Sequence, residues 1–231
     1  MLNSPRVWLG RELSAFGASL PSEALVLDAG SGNQRYKPHF EHCRYEAADF
    51  EQVDKPYAKS TYTCDLRQIP VEASRFDAVV FTQVMEHLPE PATVIRELNR
   101  VLKPGGVLFY TGPFWYEEHE KPYDFYRYTQ FGVRFLFQSG GFNIRELRWL
   151  DGYMATVAHQ LRRMSSALPR TPAGYGRGPG AWFRFLLFNV LRILFRILAN
   201  IAAQSDVAHR YTRRGFPMNY LAIAEKPLTG S

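Results

Sequence analysis

Hydrophobic and polar positions fall into blocks of two different periods along this chain. Residues 5–20 carry Val7, Leu9, Leu13, Phe16 and Leu20 among polar residues, an approximate helical stripe that Pro21 stops. Ala24 to Leu27 is then an uninterrupted apolar run, the pattern of a strand buried on both faces. Short runs at Tyr45 to Asp49 and Thr61 to Cys64 predict two more strands, and Phe76 to Phe81 is the clearest of all. Val94, Ile95, Leu98, Val101 and Leu102 recur at helical spacing until Lys103-Pro104-Gly105-Gly106 ends the helix, and Val107 to Thr111 is the next strand. Thr129 is an N-cap for a helix over 130–138, closed by Gly140-Gly141. Phe142 to Leu150 and Asn219 to Ala224 complete the strands. This alternation predicts an α/β, Rossmann-like, doubly wound sheet.

The stretch between the last two strands is different in kind. Met154 to Leu168 predicts a helix containing Arg162 and Arg163, and 169–180 is a link rich in Pro and Gly. Ala181 to Ala203 is almost wholly apolar, and its exceptions (Arg184, Asn189, Arg192, Arg196 and Asn200) share one arc of roughly 160° on a helix. The chain therefore divides into a core over 1–152, a helical insertion over 153–215, and a last strand and tail over 216–231. The apolar segment is long enough to span a bilayer, but Arg192 near the centre would cost about 3 kcal/mol. A lid or dimer helix is a second reading. The favoured one is a helix lying in the membrane plane, its arginines toward anionic headgroups, helped by Arg210, Arg213 and Arg214.

Charge supports an anionic partner: the net value is +6 and the pI is near 9.4. The two cysteines, Cys43 and Cys64, show no metal or disulfide spacing, which fits a reducing cytosol. No secretory signal pattern opens the chain, so the expected location is cytoplasmic, at the inner face of the membrane.

The chemistry begins where the first strand ends, at Asp28-Ala29-Gly30-Ser31-Gly32. A glycine turn at the carboxyl end of a strand lets a ligand approach the backbone, and a following helix would aim its amides at that ligand. Arg35 to His42 is short and contains Pro38, which leaves that helix in doubt. Asp49 closes the second strand, Cys64-Asp65-Leu66 the third, Phe76-Asp77-Ala78-Val79-Val80 follows, and Leu102-Lys103-Pro104-Gly105-Gly106 comes last. That ordered set resembles the class I S-adenosylmethionine (SAM)-dependent methyltransferases over Leu25 to Leu147. Gln34 stands where the family often has a third glycine. The resemblance implies a final antiparallel strand, SAM as cofactor, and an insertion that starts beside the active site. It places Asp28, Gly30, Ser31, Gly32, Asp49, Asp65, Leu66, Thr82 and Gln83 at the cofactor. Asp49 would meet the ribose hydroxyls, with Glu46 and Glu51 as alternatives; Asp65 would meet the adenine amino group or cap the next turn.

For the acceptor, 112–128 is dense in His, Tyr, Asp and Arg at the ligand end of its strand. His119, His87, Tyr123 and Tyr126 are candidate bases, and Arg127 a candidate binder of carboxylate or phosphate. His87 could equally brace the turn before its helix. The Pro122-Tyr123-Asp124-Phe125-Tyr126-Arg127-Tyr128-Thr129 string resembles bacterial family members acting on sugars and cell-envelope intermediates. Some O-methyltransferases of the family place a metal on an acid three residues before a Glu-His pair. Gln83 stands there before Glu86-His87, so no metal is expected. The expected activity is methyl transfer, on oxygen, to a small or lipid-linked acceptor, with no nucleic acid partner. RNA methylation, a nicotinamide dehydrogenase (which lacks its last glycine, with Arg35 there) and a non-catalytic peripheral membrane protein are the alternatives.

Overall fold

The computed structural model describes residues 2–51 and 57–228. Seven strands form one sheet: β1 (Leu25–Ala29), β2 (Arg44–Asp49), β3 (Tyr62–Thr63), β4 (Phe76–Thr82), β5 (Leu102–Pro113), β6 (Asn143–Trp149) and β7 (Asn219–Glu225). Their order is β3-β2-β1-β4-β5-β7-β6. The first five pair in parallel, while β7 runs antiparallel between β5 and β6. The unbroken apolar runs predicted central strands, and all five residues of β1 are buried, as are six of seven in β4.

Helix α1 (Ser4–Ser19) gives Leu9, Leu13 and Phe16 to the core, with the Phe16 ring 5.1 Å from that of Phe109. Helix α2 (Pro91–Val101) buries Val94, Ile95, Leu98 and Val101, the stripe its spacing predicts. Helix α3 (Gln130–Ser139) starts where Thr129 Oγ1 accepts the Gly132 amide at 3.2 Å.

The crossover after β1 bears out the doubt that Pro38 raised. No α-helix follows the glycine turn; a single 3-10 turn (Lys37–Phe40) does, and it buries Phe40. Gln34 takes a left-handed φ of +53°, and Pro38 removes a backbone donor, so a helix cannot propagate through this stretch. The turn therefore presents its own amides rather than a helix end.

Residues 151–218, together with the chain up to Trp8, form a second compact unit, described by itself. The chain leaves the sheet at Leu150 and returns at Asn219, at the carboxyl edge of β5, where Pro113 pairs with Asn219. In this unit α4 (Tyr153–Ala167) and α5 (Pro179–Ala208) form a hairpin. Ala158 packs against Ala202 and Ala203, and Trp8 Nε1 donates to Asp206 Oδ2 at 3.0 Å. The polar stripe of α5 is divided: Arg184 and Arg196 are exposed, whereas Asn189, Arg192 and Asn200 are half-buried. Arg192 donates to the carbonyls of Leu168 and Pro169, and Arg196 Nε to Ser165 Oγ at 3.1 Å. The end of α4 carries carbonyls and a hydroxyl that need donors, and these arginines supply them.

Candidate active site

The turn after β1 is built from its amides. Gly30 and Ser31 donate to Ala48 O at 2.8 and 3.1 Å, which clips the turn to the end of β2. Gly30 has φ +78°, and a Cβ there would lie 2.4 Å from Val84 Cγ2. Gly32 donates its amide to Asp49 Oδ2 at 2.7 Å, and Glu51 donates to Asp49 Oδ1 at 2.8 Å. One carboxylate therefore joins the two strand ends. Gly30→Ala is expected to lower the melting temperature by several degrees, because the positive φ and the Val84 contact together cost on the order of 2 kcal/mol. A thermal shift assay checks it.

A cleft opens over this turn at the carboxyl edge of the sheet. Gly30, Asp49, Asp65 and Leu66 line one part, and Gln83, His87 and Tyr123 another. Residues that were not site candidates from sequence also line it, among them Phe50, Tyr57, Arg67 and Phe125. Phe50 and Phe125, 46% and 44% exposed, offer apolar walls. Their signal was position, one directly after the acid of β2 and one inside the aromatic string.

Four of the expected cofactor residues, Asp28, Ser31, Gly32 and Thr82, lie outside that lining. Asp28 is buried and accepts the Tyr45 hydroxyl; burial pushes its carboxyl up to about 7. It braces β1 against β2. Asp65 lines the cleft and also holds the turn after β3: it accepts the Arg67 amide at 2.8 Å and the Arg67 guanidinium. Gln83 holds φ +56°, a costly backbone for a side chain of its size. Its Nε2 donates to Thr111 Oγ1 and Asn219 Oδ1, both at 3.2 Å, which ties β4 to β5 and β7.

Arg127 is not placed as a substrate binder. It forms a bidentate pair with Asp124, at 2.7 and 2.8 Å, and donates to the carbonyls of Tyr116, Glu117 and Tyr126. That pair holds the Asp124 carboxyl down at about 2. Tyr126 likewise donates to Pro89 O at 3.2 Å. Both residues organise the loop from Phe114 to Thr129, because a long loop dense in carbonyls needs donors of its own.

The groups suited to acid–base work meet at the 3-10 turn Met85–His87. His87 Nδ1 lies 2.6 Å from Tyr123 O. A carbonyl only accepts, so Nδ1 carries the hydrogen and Nε2 is left with its lone pair. Burial lowers the imidazole pKa and keeps the ring neutral. His119 packs edge-on against it, ring centroids 4.7 Å apart. Glu86 is fully buried, neither oxygen has a hydrogen-bond partner on another residue, and burial pushes its carboxyl up to about 8. Glu86, His87 and His119 each offer a ligand atom within 4.8 Å of the others, a donor set that suits a transition-metal ion. Gln83 takes no part in that set.

Residues 27–110 match the family model described as a methyltransferase domain. The matched segment is a methyltransferase domain, and the sheet that holds it has the class I SAM-dependent methyltransferase fold. Within curated relatives, the chain is 30% identical to a tRNA (carboxymethyluridine(34)-5-O)-methyltransferase of Arabidopsis thaliana over 116 residues, 47% of this chain and 28% of that one. It is 40% identical to a ubiquinone biosynthesis O-methyltransferase of Pseudomonas paraeruginosa over 57 residues, 22% of this chain and 25% of that one. The matches thus span about a quarter of each relative. Two solved structures share the fold at 18% identity. The [4+2]-cyclase SpnF has a TM-score of 0.58 over 97% of this chain and 82% of its own. The Burkholderia thailandensis 1,6-didemethyltoxoflavin-N1-methyltransferase, which holds S-adenosylhomocysteine, has 0.54 over 96% and 81%. SAM is the cofactor of this methyltransferase domain, and the cleft fits it by its chemistry: a glycine that cannot carry a Cβ, and acids at the ends of β2 and β3.

Proposed function

We propose that this methyltransferase domain transfers a methyl group from SAM to an oxygen of a small acceptor, with His87 as the base. The observation that carries this is His87 itself: neutral, its tautomer set by Tyr123 O, and in one cleft with Gly30, Asp49 and Asp65. SAM supplies an electrophilic methyl on a sulfonium whose leaving group is neutral. The protein's task is then alignment and removal of one proton. Asp49 supports the ribose and Asp65 with Leu66 the adenine. Tyr123, Phe125 and Phe50 form the apolar walls against which an acceptor ring or chain can lie. His87 Nε2 takes the hydroxyl proton as the new O–C bond forms, and Tyr123 O holds the Nδ1 proton of the resulting imidazolium. The acceptor class favoured is amphipathic or lipid-linked, in keeping with the apolar walls.

Radiolabelled SAM offered to polar-lipid extract, quinols and bulk tRNA identifies the pool that is methylated. The tRNA pool tests the second reading, which rests on the 116-residue match to the Arabidopsis relative. With that pool, His87→Asn is expected to bind SAM as wild type does and to transfer methyl some 10²–10⁴-fold more slowly. The asparagine amide can still donate to Tyr123 O, so a transfer rate equal to wild type would remove His87 from the mechanism.

A further inference from the structure

Residues 152–218 hold ten arginines, no lysine and a single acid, Asp206, so this stretch carries +9 in a chain of net +6. Asp206 is buried. The cationic character of the protein belongs wholly to its helical unit. Within that unit α5 shows its apolar side to solvent. At about 100° per residue, ten large apolar side chains from Trp182 to Ile201 share one arc of roughly 160°. All ten are exposed; Trp182, Val190, Ile193 and Ile201 are 60%, 64%, 59% and 55% so. The opposite arc carries Asn189, Arg192 and Arg196; the two arginines bond α4 and the link after it, and Asn189 accepts from Arg192. The most apolar 18-residue window of α5 has a mean hydropathy of 1.8 and is only 11% buried. A soluble helix does the reverse, since its apolar stripe packs and its charges hydrate.

We propose that the outer face of α5 lies in the plane of an anionic membrane, at the boundary between headgroups and acyl chains. The stripe is about 28 Å long at 1.5 Å per residue, enough to lie as one continuous contact. Exposed arginines stand at both ends of it: Arg177 and Arg184 at its start, Arg213 and Arg214 beyond its finish. They match anionic headgroups in sign. A transmembrane pose is disfavoured by α4, which is packed on α5 and exposes Gln160, Arg163 and Ser166. Spanning would carry that polar surface into hydrocarbon. A second copy of the chain would set one +9 unit against another, whereas anionic lipid neutralises it. The inference is independent of the methyl-transfer reading.

The test is co-sedimentation of the full chain with phosphatidylcholine vesicles and with vesicles of phosphatidylcholine and phosphatidylglycerol in equal parts. Binding to the anionic vesicles, weakened by salt, is expected. Ile193→Glu/Ile197→Glu should lower it at least tenfold with SAM binding and melting temperature unchanged, since both side chains are exposed. Arg213→Ser/Arg214→Ser should lower it roughly fivefold per arginine, and only on anionic vesicles. Bromines near the headgroup should quench Trp182 more than bromines at the chain end, a difference lost in Trp182→Phe. Three results would overturn the proposal: protein left in the supernatant with anionic vesicles, equal quenching from deep bromines (a spanning helix), or a solution dimer that Ile193→Glu/Ile197→Glu breaks.

Discussion

Asp49→Ala is expected to weaken SAM binding about 100-fold or more in calorimetry. The carboxylate accepts the amides of Gly32 at 2.7 Å and Glu51 at 2.8 Å, so it shapes the glycine turn as well as lining the cleft. Hydrogen bonds to a charged acceptor contribute about 1.5–3 kcal/mol each, and every 1.4 kcal/mol is tenfold in affinity. Removing the group takes away the ribose acceptor proposed above and leaves two amides without their partner. Asp49→Asn should fall between wild type and the alanine variant, because its single carbonyl oxygen can serve only one of the two strand ends well. Glu51→Ala is the control, since Glu51 contributes its backbone amide there. If Asp49→Ala bound SAM as wild type does, the cofactor would have to sit away from the end of β2, and the assignment of the cleft would fall with it.

How far the sequence carries this picture depends on which interactions are local. The sheet was legible because burial on both faces leaves unbroken apolar runs, and β1, β4 and β7 fall where those runs predict. The place of Asp49 in the cleft was legible because it closes a strand. The doubt over a helix after the glycine turn was legible in Pro38, but the left-handed backbone of Gln34 was not, because no residue type alone dictates it. Arg127 and Tyr126 read as site residues because their composition fits a pocket. Only the folded loop shows their donors spent on Asp124, Pro89 and neighbouring carbonyls. The periodicity of α5 was plain, but periodicity gives an arc and not its direction. Which side faces outward was settled by Leu168, Pro169 and Ser165, residues that end the preceding helix and offer acceptors to the arginines.

Glu86→Gln is expected to stabilise the protein at pH 8 and to do little at pH 4. Glu86 keeps its proton in the folded state up to about pH 8, whereas an ordinary glutamate loses it near 4.5. Its folded value is the higher, so the unfolded chain releases the proton first. The folded state therefore holds its full share of stability below about pH 4.5 and loses it as pH rises toward 8. Each pH unit in that window costs about 1.4 kcal/mol, which puts the loss at pH 7 at about 3 kcal/mol or less. The amide of the variant does not titrate, so that decline should vanish, although a buried amide without a partner costs some stability at every pH. Asp28, raised to about 7 for the same reason, titrates in both proteins and cancels from their difference. The measurement is melting temperature from pH 4 to 9 for both. For a chain of this size each kcal/mol moves it by about 2–4 °C, so the curves should diverge by several degrees between pH 5 and 8 and run parallel above. Curves parallel throughout would mean that Glu86 is already ionised near neutrality, held by a cation or a moved neighbour. His87, whose Nε2 stands 3.8 Å from Glu86 Oε1, would then face a carboxylate and be a stronger base than a neutral neighbour makes it.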